Sequence, residues 1–135
     1  WAPRTYIENQ YEVQGDVVVD HATGLMWQKS GSENYMTYGE AQEYVKKLNQ
    51  EQFAGCDDWR LPTIPELMSL LEPEKQSNDL YIHQIFDKKQ WWCWSADGRI
   101  KGESSSESAW YVDFYSGDVD WYDLFYNYYV RAVRS

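Results

Sequence analysis

The sequence predicts an α+β domain in which two helices pack on antiparallel strands. Three observations point there. Two capping boxes open helical stretches in the first half of the chain, and alternating strands separated by turn residues fill the second half. No internal repeat or shift of composition divides the 135 residues. That length suits one domain, burying roughly two thirds of its unfolded surface.

Residues 1–16 are weakly patterned and read as an N-terminal edge segment. Val17-Val18-Val19 is a β-branched run, Asp20 to Gly24 a turn, and Leu25-Met26-Trp27 a returning strand. Thr37-Tyr38-Gly39-Glu40 forms a capping box, with Ala41, Tyr44, Val45 and Leu48 following at helical spacing. These predict helix one over about 38–49. Thr63-Ile64-Pro65-Glu66 repeats the device. Pro65 is tolerated in a first turn, where its missing N–H would have no intrahelical partner. Leu67, Met68, Leu70 and Leu71 predict a stripe on helix two that Pro73 ends. Residues 74–90 are a connection with one apolar cluster, Tyr81, Ile82, Ile85 and Phe86, expected to form a helical turn. Trp91 to Ser95 reads as a strand and residues 97–108 as a surface loop. From Trp110 to Tyr115 the alternation puts Trp110, Val112 and Phe114 on one face and Tyr111, Asp113 and Tyr115 on the other. Ser116-Gly117-Asp118 is a turn, Val119 begins the return, and a last strand is expected over about 129–133.

With 12 basic against 22 acidic side chains, the net charge is -10. A field of that sign repels phosphate backbones and anionic lipid, so nucleic acid, sulfated glycans and membrane surfaces are poor partners unless a local basic patch overrides it. No apolar run is long enough to span a bilayer. His21 and His83 sit in no ligand pattern, and no cofactor or metal motif stands out. Cys56 and Cys93 would imply an oxidising compartment if bridged; a disulfide and two separate thiols both fit the sequence. No Ser-His-Asp or paired-carboxylate pattern supports catalysis, so no enzyme is expected.

The last 26 residues, from Trp110 onward, carry the strongest functional signal. Ten are aromatic and four are Asp, while Glu and Lys are absent. Tyr mixed with Asp, Ser, Asn and Gly is common in paratopes, where phenols give rigid amphipathic contact area. It is uncommon in packed cores, where phenols need buried partners.

Several blocks then fall in a recognisable order: Thr23-Gly24-Leu25-Met26-Trp27-Gln28, Asp58-Trp59-Arg60-Leu61-Pro62-Thr63, Trp94-Ser95, Ala109-Trp110 and Tyr129-Val130-Arg131-Ala132-Val133-Arg134. Together, over about 17–134, they resemble the C-type-lectin-like domain that ends bacterial collagen-like surface adhesins. The chain departs from that pattern at Tyr44 and Ala132, where many relatives carry cysteines. The resemblance implies a C-type-lectin-like fold and a binding rather than catalytic role. Relatives that oxidise cysteine use paired thiols, and Cys93 has no second cysteine near it in sequence. Glu72-Pro73-Glu74 only partly matches the EPN motif of calcium-dependent lectins. Asp118, Asp120 and Asp123 read as solvated carboxylates before they read as cation ligands. Trp27, Trp59, Trp94 and Trp110 are expected in the core, and an Asp58–Arg60 pair is expected to hold the loop before helix two.

The C-terminal block more narrowly resembles proteins diversified by retroelements, whose last strands are rewritten by adenine-directed mutagenesis within a fixed framework. Ala109, Trp110, Val112, Phe114, Gly117, Val119 and the closing YVRAVR fit such a framework. Randomising the adenines of an AAY codon can give Tyr, Asp, Ser, Phe, Leu or Asn, among others, but never Glu, Gln, Lys, Met or Trp. Residues 111–128 contain no Glu, Gln, Lys or Met, types that make up 30 of the other 117 residues. Trp121 breaks the rule, and strand propensity also depletes Glu and Lys.

The expected binding positions are Trp91, Trp92, Tyr111, Asp113, Tyr115, Ser116, Asp118, Asp120, Trp121, Tyr122, Asp123, Leu124, Phe125, Tyr126, Asn127 and Tyr128. One of the two adjacent tryptophans is expected to pack inward. The implied partner is a protein or glycan ligand on a cell or host surface. The implied location is extracellular, cell-surface or virion-associated, as a monomer or trimer. The alternative is a fixed-specificity carbohydrate-binding adhesin domain.

Overall fold

The computed structural model describes residues 8–100, 107–123 and 127–135, with backbone alone described for 98–100, 107–109 and 121–123. Strands β1 (Tyr11–Gln14), β2 (Val17–Asp20), β3 (Leu25–Gln28) and β7 (Val133–Arg134) form one antiparallel sheet in that order. Strands β4 (Trp92–Ile100), β5 (Glu107–Asp113) and β6 (Asp118–Asp123) form a second. Two helices, α1 (Tyr38–Gln50) and α2 (Ile64–Met68), complete the α+β architecture that the sequence predicts.

Alternation divides the core. Val18 and Trp27 face a cluster with Leu67, Leu70, Phe86, Cys93, Val112 and Phe114. Val17 faces the opposite way, toward Ala41, Val45 and Leu48 of α1, with Trp59, Trp94 and Tyr128. Trp27, Trp59 and Trp94 are buried as expected, while Trp110 is half-buried.

Local chemistry explains most of the elements. Both capping boxes form, with Thr37 and Glu40 at α1 and Thr63 and Glu66 at α2. The turn at 20–24 is organised by Asp20, which is fully buried. Its carboxylate accepts from the Gln10 and Ala22 amides at 3.0 Å, from Asn9 Nδ2 at 2.7 Å and from Thr23 Oγ1 at 3.1 Å. Burial pushes the Asp20 pKa up, but these four donors outweigh it and hold the group below the usual carboxylate range.

Helix two is shorter than its stripe predicts. After Met68 the chain closes on tighter bonds, Leu70 N–H to Leu67 O and Leu71 N–H to Met68 O, both 3.0 Å. The Ser69 hydroxyl donates to the Glu66 carbonyl and so competes with helical bonding. Leu67, Leu70 and Leu71 are buried all the same. The cluster at 81–86 forms a turn closed by Phe86 N–H to His83 O at 3.1 Å. The expected 97–108 loop is in part strand, since β4 runs to Ile100 and β5 starts at Glu107. Between Trp94 and Gly98 the β4–β5 register shifts. Ser95 Oγ spans the irregularity, donating to Trp110 O at 2.7 Å and accepting from Asp97 N–H at 3.0 Å. Asp97 can then accept the Ile64 N–H at 2.7 Å, a further cap on α2.

The expected Asp58–Arg60 pair does not form. Asp58 takes a bidentate grip from Arg134, at 2.6 and 3.1 Å, and Arg60 binds Glu66, at 2.6 and 2.7 Å. The arrival of the C-terminal strand beside the loop supplies the partner that local sequence could not reveal: Arg60 and Val133 exchange backbone bonds.

The expected last strand at 129–133 is a string of separate pairings. Tyr128 pairs with Met36, Tyr129 with the backbone of Trp92 and Trp94, Val130 with Ser32, and Ala132 with Gln28. Gly31 permits this approach, because a Cβ there would sit 2.2 Å from Val130 O. The Gln28 amide accepts from Ala132 N–H at 2.8 Å and donates to Tyr44 OH at 3.0 Å. It thus joins Tyr44 to Ala132, the two positions at which the chain departs from the pattern it resembles. Both cysteines of this chain are free thiols, so the open possibility of a Cys56–Cys93 bridge is not realised. The two belong to different core clusters. Cys93 is fully buried, and desolvation pushes its thiol up to about 12.

Candidate ligand-binding site

The start of β4 and the β5–β6 turn build an aromatic groove. Phe114 N–H donates to Trp91 O, and Tyr81 N–H to Phe114 O, each at 2.6 Å. These bonds bring the 74–90 connection against the hairpin. Asp113 Oδ1 accepts the amides of Tyr115, at 2.8 Å, and Ser116, at 3.3 Å, and Gly117 N–H closes on Asp113 O at 2.8 Å. Gly117 adopts φ +79 with its Cα side on the Tyr81 ring, so a side chain there would be strained. The turn therefore holds Tyr115 outward, 58% exposed.

Trp91, Tyr115 and Tyr129 line a groove of 590 Å³ together with Lys88, Lys89 and Asp79. Trp91 meets Tyr115 edge-on, with centroids 5.7 Å apart at 63°. Tyr35, 59% exposed, meets Tyr129 at 88°. The Lys75 ammonium lies 5.2 Å from the Tyr115 ring centroid. Among the described residues, none of Lys75, Lys88 and Lys89 forms a salt bridge. The chain's acidic field thus has a basic interruption at this aromatic groove.

The expected site residues whose side chains are described divide into exposed, half-buried and buried ones. Tyr115, Ser116, Asp118, Asp120 and Asn127 are exposed, and Trp91, Trp92, Tyr111 and Asp113 are half-buried. Tyr128 is a correction: it is buried, stacked on Tyr111 at 4.3 Å and edged by Trp94 at 4.7 Å and Trp92 at 5.5 Å. Its backbone pairing with Met36 carries the ring inward. Both members of the tryptophan pair are half-buried: Trp92 packs against the α1-side cluster, and Trp91 packs against the other cluster while lining the groove. Asp113 serves the turn backbone. Trp121, Tyr122 and Asp123 lie in β6, with Trp121 opposite Trp110, and are described as backbone only. Leu124, Phe125 and Tyr126 lie outside the described residues.

Sequence reasoning missed Tyr35, Tyr129 and the lysines. The one available signal was Lys88-Lys89 directly before Gln90-Trp91 in an otherwise acidic chain. Among the described residues no group of three or more His, Cys, Asp or Glu side chains could hold a metal ion, and no helix is long and apolar enough to cross a membrane.

The loop bearing Lys88 and Lys89 is tied down from beneath. Arg131 is fully buried and donates to the carbonyls of Gln28 at 2.9 Å, Lys29 and Asp87 at 2.9 Å. Its guanidinium also stacks over Phe86 at 4.9 Å. Gln90 Nε2 donates to Ser32 O at 2.7 Å. Carbonyl dipoles rather than a carboxylate thus solvate the buried cation, and desolvation lowers its pKa from the ordinary value.

No curated protein matches the chain. The family model of the Lcl C-terminal domain matches residues 16–134, nearly the whole length, with strands β2 to β7, both helices and the groove inside the match. The chain belongs to the Lcl C-terminal domain family, a family of C-type-lectin-like domains.

Proposed function

We propose that this domain is a non-catalytic recognition module that binds a protein or glycan ligand on a cell or host surface. The aromatic groove and the adjoining β5–β6 hairpin would be its contact surface. One observation carries the reading: among the described side chains the framework aliphatics are buried and most of the interspersed positions are exposed, with Tyr128 the buried exception. Val112, Phe114, Val119, Val130, Ala132 and Val133 are buried, whereas the interspersed Tyr115, Ser116, Asp118, Asp120 and Asn127 are exposed. Side chains at those exposed positions can change without a cost in core packing. The finer reading is that a retroelement diversifies them. The absence of Glu, Gln, Lys and Met from residues 111–128, beside four Asp, supports it.

The test is binding to arrays of glycans and cell-surface proteins by wild type and by Tyr115→Ala and Trp91→Ala. Loss of captured ligand with folding retained supports the module. Undiminished capture by both variants sinks it. The diversification claim has its own test. A near-copy of the coding region for residues 91–135, differing at adenines and lying beside a reverse transcriptase gene, is expected in the source genome. A fixed-specificity sugar site is the second reading, favoured by Trp and Tyr rings beside polar groups in one groove. Chelator-resistant capture of one glycan class, by a protein whose gene lacks such a template, would select it.

A further inference from the structure

We propose that the groove takes a short acidic peptide segment, an apolar or aromatic side chain flanked by carboxylates; this rests on the recognition reading above and names its ligand class. The groove's rings form corners, not platforms. Trp91 and Tyr115, both lining the groove, stand at 63°, and the lining ring of Tyr129 meets Tyr35 beside the groove at 88°. A flat pyranose is best served by one broad parallel face, whereas an angled pair of rings encloses a compact side chain. The volume, 590 Å³, suits a few residues of peptide.

Charge makes the second argument. Lys88 and Lys89 line the groove, Lys75 sits over Tyr115, and none of the three forms an internal salt bridge among the described residues. They are free to meet anions. The positive region is local, however. Asp79 lines the same groove, and Asp118 is exposed on the hairpin beyond Tyr115. A uniformly charged polymer crossing this surface would set some of its anions against those carboxylates. A peptide can vary its charge residue by residue, placing carboxylates beside the lysines and neutral groups beside the aspartates.

The experiment pans a displayed random peptide library against the whole chain and titrates the selected peptides by tryptophan fluorescence at two salt concentrations. A sulfated oligosaccharide is titrated in parallel. The expected result is enrichment of Asp or Glu next to an aromatic or aliphatic residue, with binding weakened by salt. The Lys88→Glu/Lys89→Glu double variant should weaken it about tenfold. Selected peptides without acidic bias, or with affinity unchanged in the double variant, overturn the proposal. So does a sulfated oligosaccharide that binds where no peptide does, although that result would leave the groove's recognition role standing. Peptides that bind Tyr115→Ala and Trp91→Ala as tightly as wild type would remove both.

Discussion

The turn at 113–118 and the closing segment at 128–134 come from one tyrosine- and aspartate-rich stretch, yet they meet opposite fates. In the turn, Tyr115 stands 58% exposed above a backbone knotted by Asp113. In the closing segment, Tyr128 is 6% exposed inside a cage of Trp92, Trp94 and Tyr111. The residue type is the same, so composition cannot be the cause. The cause is what the backbone pairs with. The turn bonds mainly to itself and to Tyr81, whereas the closing segment crosses between Met36, Ser32, Gln28, Arg60 and β4, each taking backbone bonds from it. A segment that satisfies its amides on several neighbouring elements buries most of its side chains, Tyr129 being the one that reaches the groove; one that satisfies them locally can present them.

The comparison is broken most severely in the closing segment. Arg131→Met should cost about 3–5 kcal/mol, because the carbonyls of Gln28, Lys29 and Asp87 lose a buried donor together. Tyr128→Ala should cost a similar amount, about 3–5 kcal/mol, by emptying an aromatic cage. Denaturant unfolding measures both. If either variant unfolds at the wild-type midpoint, the closing segment is not the anchor its bonding implies.

Asp20 supplies the next largest effect. Asp20→Asn replaces an acceptor of four bonds with a group that must turn an NH₂ toward donors, at a cost of about 2–3 kcal/mol. The acid dependence should change with it. The pKa of Asp20 in the fold lies below its ordinary value, and so does that of Glu66, held down first by Arg60. Their stabilisation is therefore complete above the usual carboxylate range and is lost as pH falls through the depressed values. Melting temperature should drop below about pH 4. In Asp20→Asn part of that slope should vanish, and an unchanged slope would count against the assignment.

Thiol labelling sharpens the same contrast at smaller cost. Cys93 is sealed in β4 with its pKa raised, while Cys56 is half-exposed. A disulfide-exchange reagent should modify one thiol in the native protein and two after denaturation. Rapid reaction of both in the native state would mean that β4 opens.

How much of this was legible in sequence follows the same division between local and non-local causes. Thr37–Glu40 and Thr63–Glu66 were readable because a capping box is complete within four residues. The alternation at Trp110 to Tyr115 was readable because one period of a strand repeats inside it, and Val112 and Phe114 are buried as it requires. Asp58 was assigned to Arg60, its neighbour, when its partner is Arg134, which arrives from the far end of the chain. Tyr128 was placed outside for the same reason, since its pairing with Met36 has no local signature. The groove's lysines come from a connection with no pattern of its own, brought to the aromatics by the Phe114 and Tyr81 bonds.

The smallest expected effect is the most informative. Tyr115→Ala removes an exposed ring whose main contacts are an edge of Trp91 and the Lys75 ammonium. Exposed edge contacts and a solvated cation–π pair are each worth about 0.5–1 kcal/mol at most, and solvent replaces much of both. The unfolding free energy should therefore fall by less than about 1 kcal/mol, a small fraction of the Tyr128→Ala loss. Ligand capture should fall far more, because the same ring forms one wall of the groove. A variant equal to Tyr128→Ala in instability would show that the hairpin ring belongs to the core, and the distinction between a presented turn and an anchored closing segment would fail.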